Sequence, residues 1–104
     1  TIIRETCPNA AIMLTTTTDN YIKRKTSNKR SIPAKQAMME LMQARNVAVW
    51  DLFGIMGGYR SMTKWYNAGL ASKDKVHFNG RGYTLVGHLM FDALMLSYSN
   101  SKNP

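Results

Sequence analysis

The chain has 104 residues, enough for one small domain and no more. Hydrophobic residues make up 44% and charged residues 19%, which excludes the low-hydrophobicity, high-charge class of disordered chains. A formal net charge of +8 brings anionic partners into consideration, the single cysteine excludes an internal disulfide or a cysteine cluster for zinc, and no run reaches the roughly 18 apolar residues of a membrane helix.

In chain order, TIIRETCP reads as the end of a helix stopped by Pro8, because proline cannot continue the backbone ladder. AAIMLT, residues 10–15, is a continuous apolar run, as expected for a strand covered on both faces of a parallel sheet. Residues 20–31 are polar and basic and read as a loop. Their core, IKRKTSNKR, carries much of the excess charge and is either a solvated loop or a nucleic-acid site. SIPAKQAMMELMQARN follows as a helix, with Ser31 as N-cap, Pro33 in the first turn and an inner face of Ala37, Met38, Leu41, Met42 and Ala44.

VAVWDLF, residues 47–53, is β-branched and aromatic and reads as the second strand, which completes a strand-helix-strand unit. Gly57 and Gly58 then break the pattern, and Ser61 is placed to cap a short helix through Trp65 and Tyr66. YTLVGHLMFDALMLSY, residues 83–98, is an amphipathic helix with Leu85, Val86, Leu89, Ala93, Leu94 and Leu96 on its apolar face. Two parallel strands with helices make an incomplete α/β domain, since such strands are normally buried within larger sheets; sequence beyond this chain is therefore expected.

The chemistry-bearing stretch is SKDKVHFNGRGY, residues 72–83. An imidazole accepts a proton near neutral pH if one ring nitrogen is free and the other donates to a group that fixes its tautomer. Asp74 and His77, three residues apart in a turn, bring a carboxylate to Nδ1 and leave Nε2 for a hydroxyl, the arrangement of acid and base in a serine triad. The same spacing also suits a loop histidine with a local hydrogen bond. His88 and Asp92 read as a surface pair on the final helix.

The surrounding run, WYNAGLASKDKVHFNGRGYTLVGHLMFDALM, closely resembles the C-terminal catalytic block of SGNH (GDSL-like) hydrolases, the esterases and acylhydrolases in which Asp-x-x-His precedes a conserved Asn, Gly and Tyr and a closing helix. Asp74, Val76, His77, Asn79, Gly82 and Tyr83 match in order, and CPNAAIMLTTTTD and RNVAVWDLFGIMGG resemble two of that family's later sheet strands. The resemblance spans nearly the whole chain and is most specific over residues 65–91. It implies a three-layer, flavodoxin-like α/β/α fold with a parallel sheet, of which residues 1–104 are the C-terminal part of a single domain without its N-terminal strands. It implies His77 as general base and Asp74 as its orienting acid, and no cofactor or metal.

The family's serine lies in a Gly-Asp-Ser motif that this chain does not contain, and Ser31, Ser61 and Ser72 match no family position. Asn20 and Asn28 lack the context of the family's oxyanion asparagine, so the chain supplies base and orienter only. The Ala-Gly-Leu-Ala run before Asp74, with Trp65, resembles bacterial members that remove O-acetyl groups from carbohydrates. The expected partners are thus an acylated carbohydrate or other small ester and the N-terminal half of the same domain, with no nucleic acid, in the periplasm or outside a bacterium. Trp65, Tyr66 and Tyr59 are either sugar platforms or packing residues. Two alternatives stand beside this reading: a small basic binding module, and a non-catalytic hydrolase remnant.

Overall fold

The computed structural model describes residues 2–102. Helix α1 (Ile2–Thr6) leads into strand β1 (Met13–Thr15), and a hairpin of β2 (Tyr21–Ile22) and β3 (Thr26–Ser27) precedes helix α2 (Ser31–Arg45). Strand β4 (Ala48–Trp50), two short helices α3 (Leu52–Met56) and α4 (Met62–Asn67), and the long closing helix α5 (Gly80–Lys102) complete the order. Strands β1 and β4 pair in parallel with Leu14 opposite Val49, and α2 is the crossover between them. The fold is therefore α/β, with a small parallel sheet and helices.

The core lies at the carboxyl end of β4. Trp50, Leu52, Met56, Met62, Trp65, Ala71 and Phe78 are buried together, and Val86, Leu89, Met90 and Ala93 of α5 pack against them. Trp65 stands 5.1 Å from Phe78, whose other neighbour Tyr83 meets it edge-on at 5.5 Å. These tilted and edge-on arrangements are the ones that ring quadrupoles favour.

Several sequence expectations change. The second strand stops at Trp50, because Asp51 turns the chain into α3 by accepting the Gly54 N–H at 3.0 Å. Capping thus overrides the β-propensity of Leu52 and Phe53. Gly57, at φ 118°, ends that helix in the left-handed conformation. Ladder pairing covers only residues 13–15 of the expected 10–15 strand. Residues 20–31 are not a plain loop, since they contain the β2–β3 hairpin. Its turn holds Lys23 and Arg24 at φ 52° and 63°, a conformation usually signalled by Asn or Gly.

Neither proposed serine cap acts as one. The Ser31 hydroxyl donates to the Thr18 carbonyl at 3.4 Å, and the N-cap position of α2 belongs to Arg30. Ser61 has helical backbone angles, and its buried hydroxyl has no partner. The apolar faces are also only partly covered. Met38 and Met42 of α2 are half-buried while Ala37, Leu41 and Ala44 are exposed, and on α5 the side chains of Leu85, Leu94 and Leu96 remain exposed. Two strands about 5 Å apart are too narrow to cover these faces.

Candidate active site

The loop between α4 and α5 is built from both ends. Gly69, at φ 77°, ends the turn after α4, and the Leu70 carbonyl accepts the Asn79 N–H at 3.1 Å. Ala71 and Phe78 form an antiparallel bridge, and the Ser72 N–H donates to the His77 carbonyl at 2.8 Å. Asn79 caps α5: its Oδ1 accepts the Gly82 N–H at 3.0 Å, while its Nδ2 donates to the Gly69 carbonyl at 2.7 Å. Gly82 has to be glycine, because a β-carbon there would lie 1.9 Å from the Leu70 carbonyl oxygen and 2.9 Å from Cβ of Phe78. Gly80 has no comparable neighbour.

Within this frame Asp74 and His77 meet. The His77 Nδ1 lies 2.7 Å from Asp74 Oδ2. Asp74 Oδ1 accepts the backbone N–H groups of Val76 at 2.9 Å and of His77 at 3.0 Å. The carboxylate is thus fixed on both oxygens. The hydrogen bond from the His77 ring, followed by those from the His77 and Val76 backbone, holds the Asp74 carboxyl well below the usual carboxylate range. An ionised Asp74 is acceptor only, so a neutral His77 carries its proton on Nδ1 and presents a lone pair at Nε2. The His77 side chain is 67% exposed and Asp74 33% exposed, and no group among the described residues bonds Nε2.

The strand ends reach this loop. Beyond β1, the Tyr21 N–H donates to the Lys75 carbonyl at 2.9 Å, and the Lys75 ammonium lies 4.8 Å from the Tyr21 ring and 5.0 Å from the Tyr66 ring. The dyad loop is therefore tied to the chain leaving the carboxyl end of β1, the end at which open α/β sheets place their ligands. A second carboxylate, Asp51, sits at the end of β4. Burial opposes its ionisation, but Lys35 at 2.7 Å, the Gly54 N–H and the Thr16 hydroxyl outweigh that and hold its carboxyl below the ordinary value. Thr16 also accepts the Phe53 N–H at 2.9 Å, so this carboxylate is committed to joining the strand ends.

The structure brings Asp74 and His77 together and leaves the other candidates apart. Ser31 and Ser61 are buried, and Ser72 meets His77 through its backbone N–H. Asn20 and Asn28 bond each other, from Asn28 Nδ2 to Asn20 Oδ1 at 3.1 Å. His88 and Asp92 are both exposed and no ion pair joins them. Trp65 is a packing residue rather than a sugar platform: it is buried, and its indole N–H donates to the Met56 carbonyl at 3.1 Å. Sequence reasoning missed Asp19, fully buried after the four threonines. It accepts the backbone N–H groups of Arg60 at 3.1 Å and Met62 at 2.8 Å, and an acid closing a strand-end polar run was its only signal.

No family model matches the chain, and no curated protein sequence does. Among solved structures, one of a peptidoglycan O-acetylesterase superposes with a TM-score of 0.87 at 26% identity, over 94% of this chain. The chain spans 29% of that protein's length. Over nearly its whole extent, this chain is therefore similar in fold to a segment of a peptidoglycan O-acetylesterase, in keeping with its resemblance to the SGNH esterases.

Proposed function

We propose that this chain supplies the acid and base of a serine ester hydrolase, and that the intact protein removes O-acetyl groups from carbohydrate. The observation that carries the reading is the fixed Asp74 to His77 hydrogen bond of 2.7 Å with Nε2 left open, set in a fold similar to that of an O-acetylesterase. In this reading residues 1–104 are the C-terminal part of a three-layer α/β/α domain of SGNH type. The nucleophilic serine and the oxyanion donors come from the N-terminal part of that domain, which also covers the exposed faces of α2 and α5.

The chemistry then follows from the dyad. His77 Nε2 takes the serine proton as its oxygen attacks the ester carbonyl, and Asp74 stabilises the imidazolium that results. The imidazolium returns the proton to the departing alcohol as the acyl-enzyme forms. His77 next draws a proton from water as the water oxygen attacks the acyl carbonyl, and the imidazolium returns that proton to the serine oxygen as the acyl–serine bond breaks and the acid leaves. A protein with a peptidoglycan-like substrate works in the periplasm or at the surface of a bacterium.

In the intact protein, His77→Ala is expected to lower kcat for an aryl acetate by roughly 10²–10⁴-fold, the usual contribution of a positioned general base. The isolated 104-residue chain is expected to turn over none. Serine-dependent turnover by the isolated chain would overturn the assignment of the nucleophile, and full activity of the His77→Ala protein would overturn the reading as a whole.

A further inference from the structure

The β2–β3 hairpin and the turn before α4 flank an open cleft of about 780 Å³ that the dyad does not use. This lies within the roughly 300–1,000 Å³ of small-molecule sites. Lys25, Lys29, Arg30 and Arg60 line it together with Tyr21 and Tyr59, and no carboxylate is among the lining residues. Among the described residues, none of these four cations has an ion-pair partner. Arg60 lies 5.4 Å from the Tyr59 ring, which places a cation and an aromatic surface side by side.

Both walls are fixed to the same short segment leaving β1. Asp19, fully buried, holds the Arg60 and Met62 N–H groups of one wall, with Arg60 at the unfavourable φ of 74°. Asn20 holds the other, since its carbonyl accepts the Asn28 N–H at 2.8 Å. Tyr21 lines the cavity and bonds through its hydroxyl to Thr63, while its N–H meets Lys75, two residues before His77. A cleft whose backbone is anchored on both sides loses less entropy on binding than a flexible basic loop.

We infer that this cavity is a subsite for a carboxylate-bearing stretch of glycan, which it holds beside the His77 loop. The cations match carboxylates, and the tyrosines with their neighbouring hydroxyl and amide groups match sugar faces and hydroxyls. Four cations gathered round one cleft, with tyrosine faces among them, suit a short carboxylate-bearing segment, whereas nucleic acid is met by a longer basic stripe along an element. The choice of glycan among anionic ligands rests on the carbohydrate-ester reading above.

The test is direct binding to the intact protein, measured by titration calorimetry. The probes are a de-esterified tetrasaccharide bearing carboxylates, its carboxyl-reduced neutral counterpart, and single-stranded DNA of matched charge. The carboxylated form is expected to bind about tenfold tighter than the neutral one, in line with charge-assisted hydrogen bonds. Lys25→Gln with Arg60→Gln is expected to abolish that preference, and Arg60→Lys to retain most of it, with folding checked by thermal midpoint. Equal affinity for the two tetrasaccharides, a preference untouched in a folded double variant, or tighter binding of the DNA would overturn the inference. His77-dependent hydrolysis without the carboxylate preference removes this inference alone. The preference without such hydrolysis upholds the subsite and removes the esterase reading.

Discussion

Replacing Asp74 with asparagine changes few atoms and should reverse the His77 tautomer. The carboxylate serves three N–H donors: two from the backbone on Oδ1, at 2.9 and 3.0 Å, and the ring Nδ1–H on Oδ2 at 2.7 Å. An asparagine has one oxygen. If it faces the two backbone donors, its amide NH₂ faces Nδ1, which must then accept, so the ring proton moves to Nε2. If it faces the ring, the NH₂ confronts two N–H groups. The first orientation makes three hydrogen bonds against one and avoids donor-donor contact, so it is the favoured one. The base is then protonated at the nitrogen that must accept, and the charge that stabilises the imidazolium is gone. The expected loss in kcat for an aryl acetate in the intact protein is about three to four orders of magnitude, as in serine triads with the wrong tautomer. Nitrogen-15 chemical shifts should report Nδ1–H in the parent protein and Nε2–H in the variant. A variant that retains Nδ1–H, or more than about a tenth of the activity, would refute the reasoning.

Acid titration gives a second prediction. Asp74 and Asp51 both have folded-state carboxyls below their ordinary value of 3.8, so each adds stability that is present above that value and is lost as pH falls through the folded-state one. The thermal midpoint should therefore fall as pH drops below about 4, and less steeply in Asp74→Asn and Asp51→Asn proteins. Gly82→Ala forces the Leu70 carbonyl and the Phe78 β-carbon apart; urea unfolding should show a loss of about 2–3 kcal/mol. Asp19→Asn leaves one of the two backbone N–H donors, the Arg60 or the buried Met62 one, facing an amide NH₂ and should cost about 1–3 kcal/mol in the same measurement.

The Asp74 to His77 contact was legible in the sequence because it is local, although the spacing alone suited a loop histidine equally and the resemblance singled it out. Asp74 reaches Val76 and His77 across two and three residues, and such turns depend little on distant packing. The α5 pattern was likewise visible through its helical periodicity. What stayed hidden depends on contacts far along the chain. The β2–β3 hairpin carries lysine and arginine where glycine or asparagine would have announced the turn. It is fastened by bonds such as Tyr21 to Lys75 and Tyr21 to Thr63, which span tens of residues. Trp65 reads more readily as packing than as a sugar platform, and the Met56 carbonyl that satisfies its indole N–H places it in the core. Asp51 reads as part of a strand until its carboxylate is found capping α3.

The closeness of Asp74 and His77 along the chain also bears on the order of events in folding. Contacts between near neighbours form early and cost little loop-closure entropy, whereas the β1 to β4 pairing must close a loop through the whole of α2. The Asp74 to His77 hydrogen bond can therefore form before the sheet does, and can reform after the sheet opens. In refolding experiments the imidazole should regain its tautomer early, ahead of activity. On the proposed esterase reading, the wait for turnover in the intact protein measures how long the sheet and the more distant groups take to reach an imidazole that is already set.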